Sequence, residues 1–124
     1  MEANEARVAE RKMLGALKLL FDAGFLVNRF GLAKVIRGEI DKETSAIAYL
    51  RCFGYAPSLS RKTISRRLLS LLKKEMVEIH PFPNLKEAIF LTEEGKKWAN
   101  TNIIMSKSLI ERESTNIIRY KGEL

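Results

Sequence analysis

The chain has 124 residues, a formal net charge of +7, 46% hydrophobic and 30% charged side chains, one cysteine and one histidine. That length allows one small core and that composition excludes general disorder. No apolar run approaches the roughly 18 residues of a membrane span, and the polar, acidic start Met1-Glu2-Ala3-Asn4-Glu5 is unlike a secretory signal, so neither is expected.

In chain order, residues 1–24 are predicted to be an N-terminal helix. Val8, Met13, Leu14, Leu17, Leu20 and Phe21 form its apolar stripe, and Gly24 supplies the stop. Residues 25–27 read as a short extended piece. Residues 30–38 suit a short helix that Gly38 ends, and residues 39–44 a polar loop. Ile47, Leu50 and Phe53 resume helix-like spacing, closed by Gly54, and Tyr55-Ala56-Pro57-Ser58 reads as a turn. Cys52 is alone, so no internal disulfide can form and a reducing cytoplasm is the expected location. Beside Leu50 and Phe53 it reads as a small buried hydrophobe.

Residues 60–74 are the most informative stretch. Ile64, Leu68, Leu71 and Leu72 recur at i, i+4, i+7 and i+8, and the opposite side carries Lys62, Thr63, Arg66, Ser70 and Lys73. Ser60 is a natural N-cap. Arg61 and Lys62 then sit at the positive end of the helix dipole, which is unfavourable for cations unless an anion meets them there. Residues 55–75 hold six basic and one acidic side chain, which is +5 of the +7. A basic face so concentrated is the footprint of a polyanion partner, against the plainer reading of a solvated charged surface.

Val77-Glu78-Ile79-His80 alternates as a half-buried strand does, Pro81-Phe82-Pro83-Asn84 is a turn, and residues 87–91 return as a second strand. Thr92-Glu93-Glu94-Gly95 has the cap and early acids of a helix start, and Trp98 is expected to anchor that helix in the core. The expected fold class is mainly α with a small β-hairpin. More finely it is a winged helix, a helix-turn-helix plus a two-stranded wing, at residues 25–100, with a helical extension at residues 101–124. In that extension Ile103, Ile104, Leu109, Ile110, Ile117 and Ile118 are apolar. With the N-terminal helix they would cover the core or form a homodimer interface.

Residues 30–38, then Phe53-Gly54-Tyr55, then Leu59-Ser60-Arg61-Lys62 with Leu68 and Leu72, resemble the RQC domain. That is the winged helix that follows the helicase core of RecQ-type DNA helicases. The likeness spans about residues 26–99. Two features depart from the family pattern: no G-x-x-x-x-G-K-[ST] run is present, so helicase activity does not carry over, and Ile64 stands where an aromatic is common. The resemblance implies duplex DNA binding with affinity for forked ends. Phosphate contacts would fall on Ser60, Arg61, Lys62 and Arg66, with Lys34 and Arg37 as weaker candidates. The wing role would fall on Phe82, flanked by Pro81 and Pro83, with His80 and Lys86 nearby. Phe82 would either stack outward on a base or fold back under the hairpin.

Catalytic motifs are not legible. One His and one Cys exclude the common zinc spacings, no paired-carboxylate site stands out, and no cofactor or metal is expected. The expected function is therefore non-enzymatic DNA binding, cytoplasmic or nucleoid-associated in a bacterium. The alternatives are a dimeric sequence-specific regulator in which Lys62, Thr63, Arg66 and Ser70 read base edges, and a protein-interaction adaptor.

Overall fold

Four helices and one hairpin account for the regular structure of residues 6–103, which the computed structural model describes. The helices are α1 (Val8–Asp22), α2 (Arg29–Arg37), α3 (Arg61–Lys73) and α4 (Glu93–Trp98). β1 (Val77–Phe82) and β2 (Leu85–Leu91) form a two-stranded antiparallel sheet. The apolar positions Ile104, Leu109, Ile110, Ile117 and Ile118 of the expected C-terminal extension lie outside the described residues.

In α1, Met13, Leu14, Leu17 and Leu20 are buried as the 3.6-residue period requires, while Val8 and Phe21 stay exposed. Gly15 is needed for close approach, because a Cβ there would lie 1.8 Å from the Asn100 carbonyl oxygen. The Asn100 amide in turn donates to the Arg11 carbonyl at 2.9 Å. The helix stops at Gly24, whose φ is 94°. Residues 25–27, expected to be a short extended piece, belong to no helix or strand, and the Val27 carbonyl accepts from the Ile89 amide of β2 at 2.9 Å. Asn28 caps α2 by accepting from the Gly31 amide, and Gly38 ends it in the left-handed conformation.

Residues 47–53 do not form the expected helix. A single 3₁₀ turn covers Ser45–Ile47, and the chain continues through three-residue steps in which Leu50 donates to Ile47 and Phe53 to Leu50. Ile47, Leu50 and Phe53 are spaced strictly by three, which matches 3.0 residues per turn rather than 3.6. Ile47, Cys52 and Phe53 are nevertheless buried. Burial also pushes the Cys52 thiol up to about 11, as suits an inert core side chain.

The hairpin pairs Val77 with Leu91, Ile79 with Ile89 and His80 with Ala88. β1 runs on through Pro81 and Phe82, so the turn is Pro83-Asn84 alone, with Asn84 at a φ of 69°. Pro81 is tolerated because it sits at a register irregularity between His80 and Phe82, where no ladder donor is required. Thr92 caps α4 by accepting from the Gly95 amide, and its hydroxyl donates to the Glu75 carbonyl. A Cβ at Gly95 would lie 1.9 Å from the Met76 carbonyl oxygen, so α4 rests directly on the start of β1. Trp98 lies at the edge of the core, with its indole N–H donating to Glu94 and the Arg11 guanidinium 4.6 Å from its ring centroid.

Within this framework Glu10 is only 3% exposed. Its carboxylate accepts from the Ser70 hydroxyl at 2.6 Å, the Lys74 ammonium at 2.7 Å and the Arg7 amide at 2.8 Å. Burial alone would raise its pKa, but these donors together hold it below the ordinary carboxylate value. A carboxylate depressed in this way adds stability that is fully present above its unfolded pKa and is lost as pH falls through the folded one. Glu10→Gln should therefore cost about 2 to 4 kcal/mol at neutral pH by urea unfolding. It should also remove part of the stability loss that the parent shows below pH 4.5. An unchanged urea midpoint would mean that the carboxylate is not held as described.

Candidate nucleic-acid interface

Ser60 starts α3 as its N-cap, accepting from the Thr63 amide at 3.1 Å and donating to the Thr63 hydroxyl at 2.9 Å. Ile64, Leu68 and Leu71 are buried on the inner side. Lys62, Arg66, Leu69 and Lys73 are exposed. At 100° per residue these four fall within an arc of about 60°, which makes one straight outer stripe. Leu69, 58% exposed in the middle of it, is a member that hydrophobic periodicity assigned to neither face. Lys62, Arg66 and Lys73 make no hydrogen bond or ion pair with any described residue.

The remaining candidates on and around α3 are engaged elsewhere. Ser70 stands about 80° round from Lys62, and its hydroxyl is turned to Glu10. It therefore does not share the outer face on which the sequence placed it. Thr63 is half-buried and tied to Ser60. Glu39 bridges two arginines, accepting from Arg37 at 2.7 Å and from Arg61. The Arg37 hydrogen bond, opposed by burial and aided by Arg61, holds the Glu39 carboxyl below its usual range. Arg37 also donates to the Leu59 carbonyl, tying the end of α2 to the residue before the α3 cap. Lys34 pairs with Asp41 and Glu43, each at 2.7 Å. These contacts spend Lys34, Arg37 and Arg61 on the connection between α2 and α3.

The two faces of the hairpin differ. Ile79 and Glu87 line a small groove with Leu68, Leu69 and Leu72 of α3 and with Arg29. His80, Phe82 and Phe90 share the other face, with the His80 and Phe82 rings 5.9 Å and 6.4 Å from that of Phe90. Phe82 is 49% exposed, neither projecting freely nor folded under. It faces away from α3. His80 is an exposed strand residue bonded to Glu78 at 2.9 Å, and Lys86 is exposed beside the hairpin turn. Along β1, Glu75, Glu78, Glu93 and Glu94 line one shallow groove, an acidic flank next to the C-terminal end of α3.

Among the described residues, no group of three or more His, Cys, Asp or Glu is placed to hold a metal ion, and no helix is long and apolar enough to cross a membrane. Comparison with known proteins finds no matching family model, no similar curated protein and no similar solved structure. The RQC likeness rests on the sequence blocks quoted above.

The Lys34 pairing has a direct test. The Lys34 hydrogen bond, with the Thr44 and Glu43 amides, lowers the Asp41 pKa to about 2. A carbon-detected NMR titration should find that midpoint in the parent chain and a clear rise in Lys34→Met. Equal midpoints in the two proteins would show that Lys34 is not held by Asp41.

Proposed function

We propose that this chain is a non-enzymatic DNA-binding protein of RQC-like winged-helix type that grips duplex phosphates through the outer stripe of α3. The order helix, short connection, helix, basic helix and hairpin suits that architecture. The Ile89 amide donates to the Val27 carbonyl, which ties the connection before α2 to the hairpin. The observation that carries the proposal is the stripe itself. Lys62, Arg66 and Lys73 lie in line, exposed and unpaired among the described residues, while their basic neighbours Arg61 and Lys74 are committed to Glu39 and Glu10.

Backbone contact is favoured over base reading for a specific reason. Of the four side chains that would read base edges, Thr63 and Ser70 are already bound within the chain, leaving Lys62 and Arg66. Those two neutralise phosphate without needing a particular sequence. The acidic flank along β1 repels phosphate, so the DNA track follows α3 and is bounded on the hairpin side. Phe82, on the opposite hairpin face, is given no stacking role.

Fluorescence anisotropy with a blunt duplex tests this. Three phosphate contacts should give a log–log salt slope of about −3, and Arg66→Glu should weaken binding about tenfold or more at low salt and flatten that slope. Salt-independent binding, or binding that Arg66→Glu leaves intact, would overturn the proposal. Loss of DNA binding in both proteins, with a protein partner still retained, would favour the adaptor alternative.

A further inference from the structure

Leu69 is the member of the outer stripe that a phosphate grip does not use. It is 58% exposed at the edge of the groove between α3 and Ile79, and Leu68, only 3% exposed, and the half-buried Leu72 supply the apolar packing of α3 on that side. A single exposed apolar side chain is ordinary. The position of this one is not. At 100° per residue Leu69 lies within about 20° of Lys62, about 40° of Lys73 and about 60° of Arg66, with Arg66 and Lys73 roughly one turn away on either side. All three cations are exposed and unpaired among the described residues. A lysine at position 69 would add to their hold on phosphate, whereas a leucine adds nothing to it.

We propose that Leu69 reads thymine, packing against its C5-methyl group in the major groove of the bound duplex. The inference rests on the proposed DNA binding and adds one base contact to its phosphate grip. A major groove about 12 Å wide admits a helix about 10–12 Å across. The outermost stripe of α3 then leads into the groove. Lys62, Arg66 and Lys73 have stems long enough to swing their charges to the phosphates on either side. Leu69 is short and apolar, so it stays over the base edges. Those edges present hydrogen-bonding groups and one apolar group, the thymine methyl. Over any other edge the leucine would cover a donor or acceptor and leave it unpaired, which is unfavourable. Thr63 and Ser70 do not compete for this place, because both are bound within the chain.

Fluorescence anisotropy of the full chain with two blunt duplexes of A·T pairs tests the contact, one carrying thymine and the other deoxyuridine throughout. The two differ only in the C5-methyl groups. Phosphate contacts carry no sequence information, so the log–log salt slope should be about −3 with each. The parent should bind the thymine duplex about threefold to fivefold more tightly, as burial of one methyl group implies. Leu69→Ala, at an exposed position, should keep its circular dichroism and its salt slope but bind the two duplexes equally. Leu69→Met, which remains long and apolar, should retain most of the preference. Equal binding by the parent with the slope intact overturns the thymine contact and leaves the phosphate grip standing. A preference that survives in Leu69→Ala also overturns it, since the preference then belongs to another side chain or to the duplex. A parent that binds neither duplex overturns the DNA reading and this proposal with it.

Discussion

Glu10 sits on α1 with its carboxylate turned inward, and the donors that satisfy it come largely from α3, sixty residues further on. A buried carboxylate without partners costs several kcal/mol, so α3 cannot turn about its own axis without stranding it. Ser70 and Lys74, one turn apart, set both the rotation and the height of α3 against α1. Once they are engaged, Ile64, Leu68 and Leu71 must face the core. Lys62, Arg66, Leu69 and Lys73 must then face outward. The direction in which this protein presents its positive charge follows from that contact.

Five of the six basic side chains in residues 55–75 divide into two kinds, and the sixth, Arg67, is half-buried and lies off the outer stripe. Arg61 and Lys74 are consumed in fixing α3 to the α2 connection and to α1, through Glu39 and Glu10. Lys62, Arg66 and Lys73 have no such duty. Exposed ion pairs contribute little to stability individually, so the Glu39 and Lys34 clusters are better understood as setting geometry. They hold the loop between α2 and α3 in place. The hairpin serves a related end. One face supports α3, its edge is acidic, and its other face turns the aromatic side chains towards α1.

Much of this fold was legible in the sequence, and the misses share a cause. α1 and α3 declared themselves through 3.6-residue periodicity with Gly24 and Ser60 at their ends, and α2 through the Gly38 stop, all local signals, whereas the Asn28 cap was not read from the sequence. The strands and the Thr92 cap were equally local. The stretch around Ile47 misled because a period of three over a few residues resembles a helix until its hydrogen bonds are known. Ser70 misled because its partner, Glu10, is distant in sequence. A serine at the border of a basic face carries no mark of being bound. Leu69 was passed over because it belongs neither to the i, i+4, i+7, i+8 apolar set nor to the polar residues of the opposite side. Phe82 could be placed at the hairpin tip, but its side of the sheet depends on register and on the irregularity at Pro81. No rule of composition supplies either.

The outer stripe of α3, and not the hairpin, is the surface proposed to meet DNA. Backbone amide chemical shifts of the full chain, followed during titration with a blunt duplex, test this most directly. The expected result is that perturbations concentrate on residues 60–73, at the cap and along Lys62, Arg66 and Lys73, while Phe82, Phe90 and the end of α1 stay unmoved. Perturbations centred on the hairpin tip with α3 silent would contradict it.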